Sequence, residues 1–275
     1  MRLPPVLLAA LLLASRPAAQ HAAAPAELLE RVGRYVETYF ATAGTILTRE
    51  TIRIQAVDGN LAPREDARIL VYELRIESAP GNLLPTMTRE RMRAAGHVTP
   101  IPSETECFDP PDASIEPLAM LLPGRQKEFT FALRGDSGGR IVELEYLPAL
   151  RKAPTVAWDG KCGRIDVNGS TRGRIRIEAA TGTVLRVTER LDKPFSFVSP
   201  WNVFSSRGAI SQTLDRFESS IEYEAVRFRD PEETLVLPKS ARTVTVIHNG
   251  GVPRLVTLQS FDNYRRFMTG GRVVK

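Results

Sequence analysis

The chain has 275 residues, of which 43% are hydrophobic and 25% are charged, and its formal net charge at pH 7 is +5. This composition is typical of a globular protein and excludes a disordered one, and the length fits one large β domain or two small ones. Acidic and basic residues are interspersed without a run of Lys or Arg, so the charge pattern argues against a nucleic-acid-binding surface.

Residues 1–26 have the pattern of an export signal. Arg2 supplies the positive charge, residues 6–14 (VLLAALLLA) supply the apolar stretch, and an Ala-rich segment follows. That stretch is too short to span a bilayer and no later one is longer, so we predict a mature chain without a transmembrane segment. We expect a single soluble domain of residues 27–275 in the periplasm or secreted, with cleavage nearer Ala19 as the alternative.

The next segment has the period of an amphipathic helix. In residues 27–43 apolar side chains recur every three or four positions and charged ones fill the other face, and Gly44 ends the pattern. Residues 46–57 and 67–77 then alternate polar and apolar side chains, which predicts two β-strands. The N-terminal third is therefore predicted to be a helix followed by strands.

Two short helices are predicted in the middle of the chain. Residues 89–95 precede Gly96, and residues 114–122 (SIEPLAMLL) start at a capping serine and stop at Pro123-Gly124. The segment between them is rich in proline and is predicted to be loop.

A β-hairpin over residues 171–191 (TRGRIRIEAATGTVLRVTERL) is the clearest pattern in the sequence. Two runs with a period of two flank Thr181-Gly182, and glycine suits such a turn because it adopts positive φ without steric cost. We expect its Arg and Glu side chains to face solvent. The apolar side chains predicted to face the helices or a cavity are Ile175, Ile177, Leu185 and Val187.

Further strands surround this hairpin. They are predicted at residues 128–134, 140–146, 217–228, 234–247 and 254–263. Pro238 within one of them indicates an edge or a bulge. Consecutive strands joined by short turns favour an antiparallel meander over parallel βαβ units. The predicted fold class is α+β, a strongly curved antiparallel β-sheet (half-barrel) with an N-terminal amphipathic helix and short lid helices.

The order of these segments resembles the outer-membrane lipoprotein-sorting (lipoprotein-carrier) superfamily, and within it a family of uncharacterised exported bacterial proteins. The resemblance is carried by residues 114–122, 173–178 (GRIRIE), 181–186 (TGTVLR) and 261–267 (FDNYRRF). It implies a half-barrel whose helices cover an apolar cavity, which in well-understood members receives acyl chains. Residues 78–110, which would form part of the lid, depart from the family pattern.

Two functions follow as hypotheses. The first is a carrier or sensor that binds a hydrophobic ligand, such as a lipid or the acyl chain of a lipoprotein. The second is an interaction module on the same scaffold that binds another envelope protein and no ligand.

An aromatic cluster interrupts the predicted meander and is the candidate for either function. It consists of Phe195, Phe197, Trp201 and Phe204 in a segment predicted to be loop. One interpretation is a loop packed on the sheet edge as a small core. The other is an aromatic flap at a cavity mouth or a docking surface for a partner.

Cys107 and Cys162 are the two cysteines, and in an exported chain an even number favours a disulfide between them. Two separate buried thiols are the alternative. Their spacing fits neither a zinc site nor a redox motif.

No residue pattern indicates catalysis. His97 and His248 are isolated, Ser137 lies in a loop without a nucleophile motif, and the neighbouring acidic residues at 109 and 112 or at 232 and 233 fit loops and turns. Arg265 and Arg266 are adjacent on a strand and must point to opposite faces, so we expect an Arg to reach a carboxylate or an aromatic ring. We therefore predict no enzyme activity, no metal site and no cofactor.

Overall fold

The computed structural model of the protein describes residues 22–77, 84–92, 116–134, 139–159, 162–199, 209–249 and 254–266. The helices in these ranges are α1 (Ala26–Ala43), α2 (Glu116–Ala119) and α3 (Pro123–Gln126). The strands are β1 (Ala22–Ala23), β2 (Thr45–Val57), β3 (Arg68–Glu77), β4 (Thr86–Arg91), β5 (Phe129–Arg134), β6 (Ile141–Pro148), β7 (Thr155–Asp159), β8 (Cys162–Asp166), β9 (Thr171–Glu178), β10 (Val184–Leu191), β11 (Phe195–Ser199), β12 (Ile210–Arg229), β13 (Glu232–His248) and β14 (Arg254–Arg266).

Helix α1 confirms the predicted amphipathic helix, and Gly44 is its C-cap. One stripe of α1 is buried against the sheet because its apolar residues recur at helical spacing. The buried residues of this stripe are Leu28, Val32, Gly33, Val36, Tyr39, Phe40 and Ala43. Among the described residues, no helix is long and apolar enough to cross a membrane.

Twelve of the described strands form one antiparallel sheet, which confirms the predicted fold class. The strand order is β1-β5-β6-β9-β10-β12-β13-β14-β2-β3-β4, and β11 also pairs with β12. The strands from β5 onward follow the predicted meander. The N-terminal strands are then added at its end, because β2 pairs with β14.

The sheet curves around α1. Strands near both of its edges contribute to one hydrophobic core with the helix, including Ile76 of β3 at one side and Leu133 of β5 at the other. A flat sheet of this width does not bring both sides to one helix, so the shared core requires an open, half-barrel shape.

The predicted hairpin of residues 171–191 is confirmed as β9 and β10. Gly182 lies in its turn with φ of 75°, the conformation for which glycine was predicted there. This turn lies directly beneath α1, since a Cβ at Gly182 would be 2.9 Å from the carbonyl oxygen of Arg31. The guanidinium of Arg31 also donates a hydrogen bond of 2.6 Å to the carbonyl of Ala179, so α1 is fastened to the hairpin.

One inward-facing residue of the hairpin was predicted wrongly. Ile175, Ile177 and Val187 are buried as expected, but Leu185 is only half-buried and Val184 takes its place in the core. The cause is a register shift between Val184 and Arg186, which places Val184 opposite Ile177. A bulge of this kind inverts the alternation of side chains on one side of it.

Two predicted helices differ in the structure. Residues 86–91 form strand β4 and not the start of a helix over residues 89–95, because they pair with β3 and extend the sheet. Residues 93–95 lie outside the described part. The helix predicted over residues 114–122 is described only as α2, and Pro123 begins α3 where a stop was expected. Proline is well suited to the first turn of a helix, because its missing N–H has no intrahelical partner there.

Strands β1, β7, β8 and β11 were not predicted as strands. Strands β7 and β8 form a separate two-stranded hairpin. Strand β11 occupies the first half of the segment predicted to be an aromatic loop, and it pairs with β12 beyond the point where β10 ends. That loop prediction is therefore wrong for residues 195–199.

Pro238 lies at a bulge, as predicted. Its neighbour Lys239 has no residue opposite it, since β12 moves from pairing Glu222 with Ser240 to pairing Tyr223 with Pro238. The free carbonyl of Pro238 accepts a hydrogen bond from the hydroxyl of Tyr264 on β14.

The two adjacent arginines on β14 point to opposite faces, as predicted. Arg265 pairs with Glu73 at 2.8 Å near the surface. Arg266 pairs with Glu233, lies 5.2 Å over the ring centroid of Phe228 and donates to the carbonyl of Thr42 at the end of α1. Arg266 therefore fixes the C-terminal end of α1 to the sheet.

Candidate ligand-binding face

The face of the main sheet that contacts α1 is called the inner face here. Strand alternation and the pairing register assign its side chains, because residues directly opposite each other on neighbouring strands share a face. Burial along the inner face changes in three successive rows of side chains that cross six strands, from β9 to β2.

The first row is completely covered. None of its residues is more than 5% exposed, and five of the six are apolar. These residues, called the buried row, are Ile175, Val187, Ile221, Ala241, Gln259 and Ile52.

The second row marks the limit of this cover. Five of its six members are smaller or more polar than the residue of the buried row on the same strand, and most of them are half-buried. These residues, called the boundary row, are Gly173, Glu189, Ser219, Thr243, Thr257 and Ile54.

The third row is half-buried except for Thr171, which is 4% exposed. These residues, called the open row, are Thr171, Leu191, Phe217, Thr245, Leu255 and Ala56. The inner face therefore continues beyond the described helices as a trough of apolar and hydroxyl side chains.

Aromatic rings lie at the far end of this trough. Ile247 lies two residues after Thr245 of the open row and therefore shares its face. It pairs with Leu214, which in turn pairs with Phe195, so Phe195 and Phe197 also lie on the inner face. The two rings stack at 5.9 Å with an interplanar angle of 15°, and Trp158 of β7 lies 6.5 Å from Phe197. All three side chains are half-buried.

The structure thus brings together two of the four predicted aromatic residues and adds Trp158. Trp201 and Phe204 lie outside the described residues. Sequence reasoning missed Trp158 because it left β7 and β8 unassigned. Gly163 lies opposite Trp158 in the pair of strands β7 and β8. A Cβ at Gly163 would be 2.7 Å from the indole ring, so the ring needs a glycine there, and this glycine was the feature of the sequence that pointed to Trp158.

A carboxyl group lies in the boundary row. Glu189 was predicted to face solvent, but it lies on the inner face two residues after Val187. Thr171 donates a hydrogen bond from its hydroxyl to this carboxylate. Burial raises the pKa of the Glu189 carboxyl, and the hydrogen bond from Thr171 opposes that rise.

Tyr146 completes this group of side chains. It lies opposite Gly173, and a Cβ at Gly173 would be 2.6 Å from the tyrosine ring and 2.1 Å from the carbonyl oxygen of Thr188. Tyr146 is only 2% exposed, yet its hydroxyl has no hydrogen-bond partner among the described residues. Burial raises the pKa of Tyr146 well above its usual value, and the nearby charge of Glu189 raises it further.

A second buried carboxylate lies on the same face but is fully paired. Glu50 of β2 is 0% exposed, and Arg89 of β4 holds both of its oxygens at 2.6 and 3.1 Å. Gln259 donates a third hydrogen bond of 3.0 Å. This network ties the edge strand β4 to β2 and β14.

Tyrosine hydroxyls also lie between α1 and the sheet. Burial raises the pKa of Tyr35 to about 12 and raises the pKa values of Tyr39, Tyr223 and Tyr264 as well. These groups remain neutral near pH 7, so the space beneath α1 is not purely apolar. The Tyr264 hydroxyl donates to the carbonyl of Pro238, whereas the buried Tyr39 hydroxyl has no hydrogen-bond partner among the described residues.

A separate hollow of about 590 Å³ lies at the turn between β12 and β13, lined by Arg227, Phe228, Arg229 and Glu232. Arg227 pairs with Glu232 across it. Its polar lining and this internal ion pair do not suit an apolar ligand.

The remaining candidate residues do not converge. His248 ends β13 and lies 3.5 Å from Asp215, with both side chains about half exposed. Glu232 and Glu233 pair with Arg227 and Arg266, as expected of structural acidic residues. In the described part of the chain, no three His, Cys, Asp or Glu side chains are close enough to hold a metal ion.

Several predicted residues lie outside the described part. They are Cys107, His97, Ser137 and the acidic residues at 109 and 112. Cys162 begins β8, but its side chain is not among the described ones. The Cys107–Cys162 disulfide therefore stays a prediction.

Comparison with known proteins gives similarity at the level of structure and not of sequence. No family model and no curated protein matches the sequence. The crystal structure of a LolA superfamily protein from Nitrosomonas europaea aligns with a TM-score of 0.35 and 8% identity, over 88% of this chain and 94% of that one.

Proposed function

We propose that the protein is exported and binds a hydrophobic ligand, a lipid or acyl chain, on the inner face of its sheet, as a carrier or sensor in the cell envelope. The observation that carries this proposal is the change from the buried row to the open row. Leu191, Phe217 and Leu255 are apolar side chains on a concave face, yet each is half-buried and none belongs to the hydrophobic core that α1 covers.

The dimensions of this surface suit an extended chain. From the boundary row to the aromatic rings, β12 runs from Ser219 to Gln212, about 23 Å at roughly 3.3 Å per residue. Apolar ligands bind in concave sites lined by apolar and aromatic side chains with a few polar groups. Phe197 would close one end of such a site.

A displacement assay with a fluorescent fatty acid tests this proposal. The wild-type protein is expected to bind the probe, and Phe197→Ala is expected to weaken binding by roughly tenfold or more, since burying an aromatic ring contributes several kcal/mol. Val198→Ala is the matched control, because Val198 is the next residue, points to the opposite face and is 60% exposed. Absence of probe binding to the wild type, or equal losses in both variants, would contradict the proposal.

A second candidate is docking of an envelope protein along β11. Within the described residues, β11 pairs with β12 on one edge and with no strand on its other edge. An unpaired strand edge can receive a strand from a partner. Crosslinking from position 198 to a defined envelope protein, without any probe binding, would favour this function over ligand binding.

A further inference from the structure

We propose that Glu189, Thr171 and Tyr146 anchor the protonated amino group of an amphiphile whose apolar chain lies along the open row. This inference rests on the proposed ligand-binding function and specifies which class of headgroup the site selects.

The three side chains form a built site at the covered end of the trough. Thr171 and Tyr146 are 4% and 2% exposed, and both lie on the inner face beside Gly173. The absence of a side chain at Gly173 allows the Tyr146 ring to lie against the backbone of β9. The position of the ring is therefore fixed by the sheet itself.

The carboxylate of Glu189 has no cationic partner in the described part of the chain. The hydroxyl of Thr171 is its hydrogen-bond donor there. Basic residues are abundant on β9 and β10 but lie on the outer face, where Arg174 pairs with Glu145 and Arg186 pairs with Glu222. Glu189 is half-buried, and a carboxylate that is partly withdrawn from water without a counter-charge is destabilised, so a cationic ligand would offset that cost.

The Tyr146 hydroxyl is a second, independent indication of a ligand. Buried hydroxyl groups almost always have a hydrogen-bond partner, and this one has none among the described residues. An ammonium group carries three donors in a compact volume and can donate to both the carboxylate and the phenol oxygen. A carboxylate headgroup would instead be repelled by Glu189.

Competition with three amphiphiles of equal chain length tests the anchor. Dodecylamine, dodecanoic acid and dodecanol would each displace a fluorescent apolar probe from the full chain near pH 7. Dodecylamine is expected to bind at least about tenfold more tightly than the other two, the size expected for a buried hydrogen bond to a charged group.

Substitutions identify the residues that cause the preference for the amine. Glu189→Gln should abolish the preference for the amine over dodecanol and dodecanoic acid. Glu222→Gln, which removes a 51% exposed carboxylate from the outer face of β12, should leave the preference intact. Tyr146→Phe should weaken amine binding by a smaller factor and provides the test if Glu189→Gln does not fold.

The outcomes separate the two proposals. If all three amphiphiles bind the wild type equally, or if Glu189→Gln keeps the preference for the amine, the anchor is wrong and the apolar site remains. If Glu189→Gln does not fold and Tyr146→Phe binds the amine as tightly as the wild type, the anchor is again wrong. If none of the amphiphiles displaces the probe, both the site and the anchor are wrong.

Discussion

The carboxylates of Glu50 and Glu189 lie on the inner face of the same sheet, the first buried and the second half-buried, and their surroundings differ. Glu50 is held by both donors of Arg89 and by Gln259, so its charge and its hydrogen-bonding capacity are satisfied inside the protein. Glu189 receives a hydrogen bond from Thr171 and has no cationic partner among the described residues. The first carboxylate joins strands, and the second retains capacity for a ligand.

The largest expected effect comes from removing the partner of Glu50. Arg89→Ala should lower the free energy of unfolding by about 3–5 kcal/mol, because it leaves a buried charge without compensation. Chemical denaturation measures this loss. Arg49→Ala is the control, since Arg49 pairs with Asp262 at 2.7 Å but both side chains are about half exposed, and it should cost about 0–1 kcal/mol.

A double variant sharpens this test. Arg89→Met combined with Glu50→Leu should recover most of the lost stability, because apolar residues of similar size can replace a buried ion pair without net cost. Equal losses in Arg89→Ala and Arg49→Ala would show that Glu50 is not a buried structural charge.

The next effect is the contribution of the Glu189 carboxyl to the pH dependence of the free energy of unfolding. Its pKa is raised in the folded protein, so between the ordinary Glu pKa and the folded value the native state binds more protons than the unfolded state. The stabilisation from the protonated carboxyl is full below the unfolded pKa and is lost as the pH rises through the folded pKa.

Glu189→Gln should remove this dependence. The variant should match the wild type at acidic pH and exceed its free energy of unfolding by roughly 1–3 kcal/mol near neutral pH, since it removes a poorly compensated buried charge. Denaturation at several pH values measures the difference. An unchanged pH profile in Glu189→Gln would contradict the raised pKa of that carboxyl.

The sequence predicted which side chains of one strand are buried, but it did not predict which distant strands pair with each other. Alternation predicted the hairpin and the burial of Ile175 and Ile177, because strand periodicity is a local property. The bulge at Val184 inverted that alternation within one strand. No local pattern predicts that β2 pairs with β14 or that β4 follows β3 as a strand, and so the contact between Glu50 and Arg89 could not be inferred.

The position of Glu189 was missed for a related reason. Alternation placed it on the same face as Val187, yet its charge favoured assignment to solvent, and charged residues are seldom buried without a partner. A charged residue at a position that the alternation assigns to the buried face was therefore the feature of the sequence that could have identified Glu189. The aromatic cluster was predicted as a loop, although its alternating Phe195 and Phe197 fit a strand.

The smallest expected effect distinguishes a structural role from a ligand-binding role for a buried tyrosine hydroxyl. Tyr146→Phe removes a buried hydroxyl that has no hydrogen-bond partner among the described residues, so the free energy of unfolding should stay unchanged or rise by up to about 1 kcal/mol. The same substitution at Tyr264 removes a hydroxyl that donates to Pro238 and should cost about 1 kcal/mol. Thermal and chemical denaturation of both variants give this comparison. If Tyr146→Phe is more stable than the wild type but binds an amine less tightly, the hydroxyl serves ligand binding and not stability. If it loses as much stability as Tyr264→Phe, Tyr146 is a structural residue.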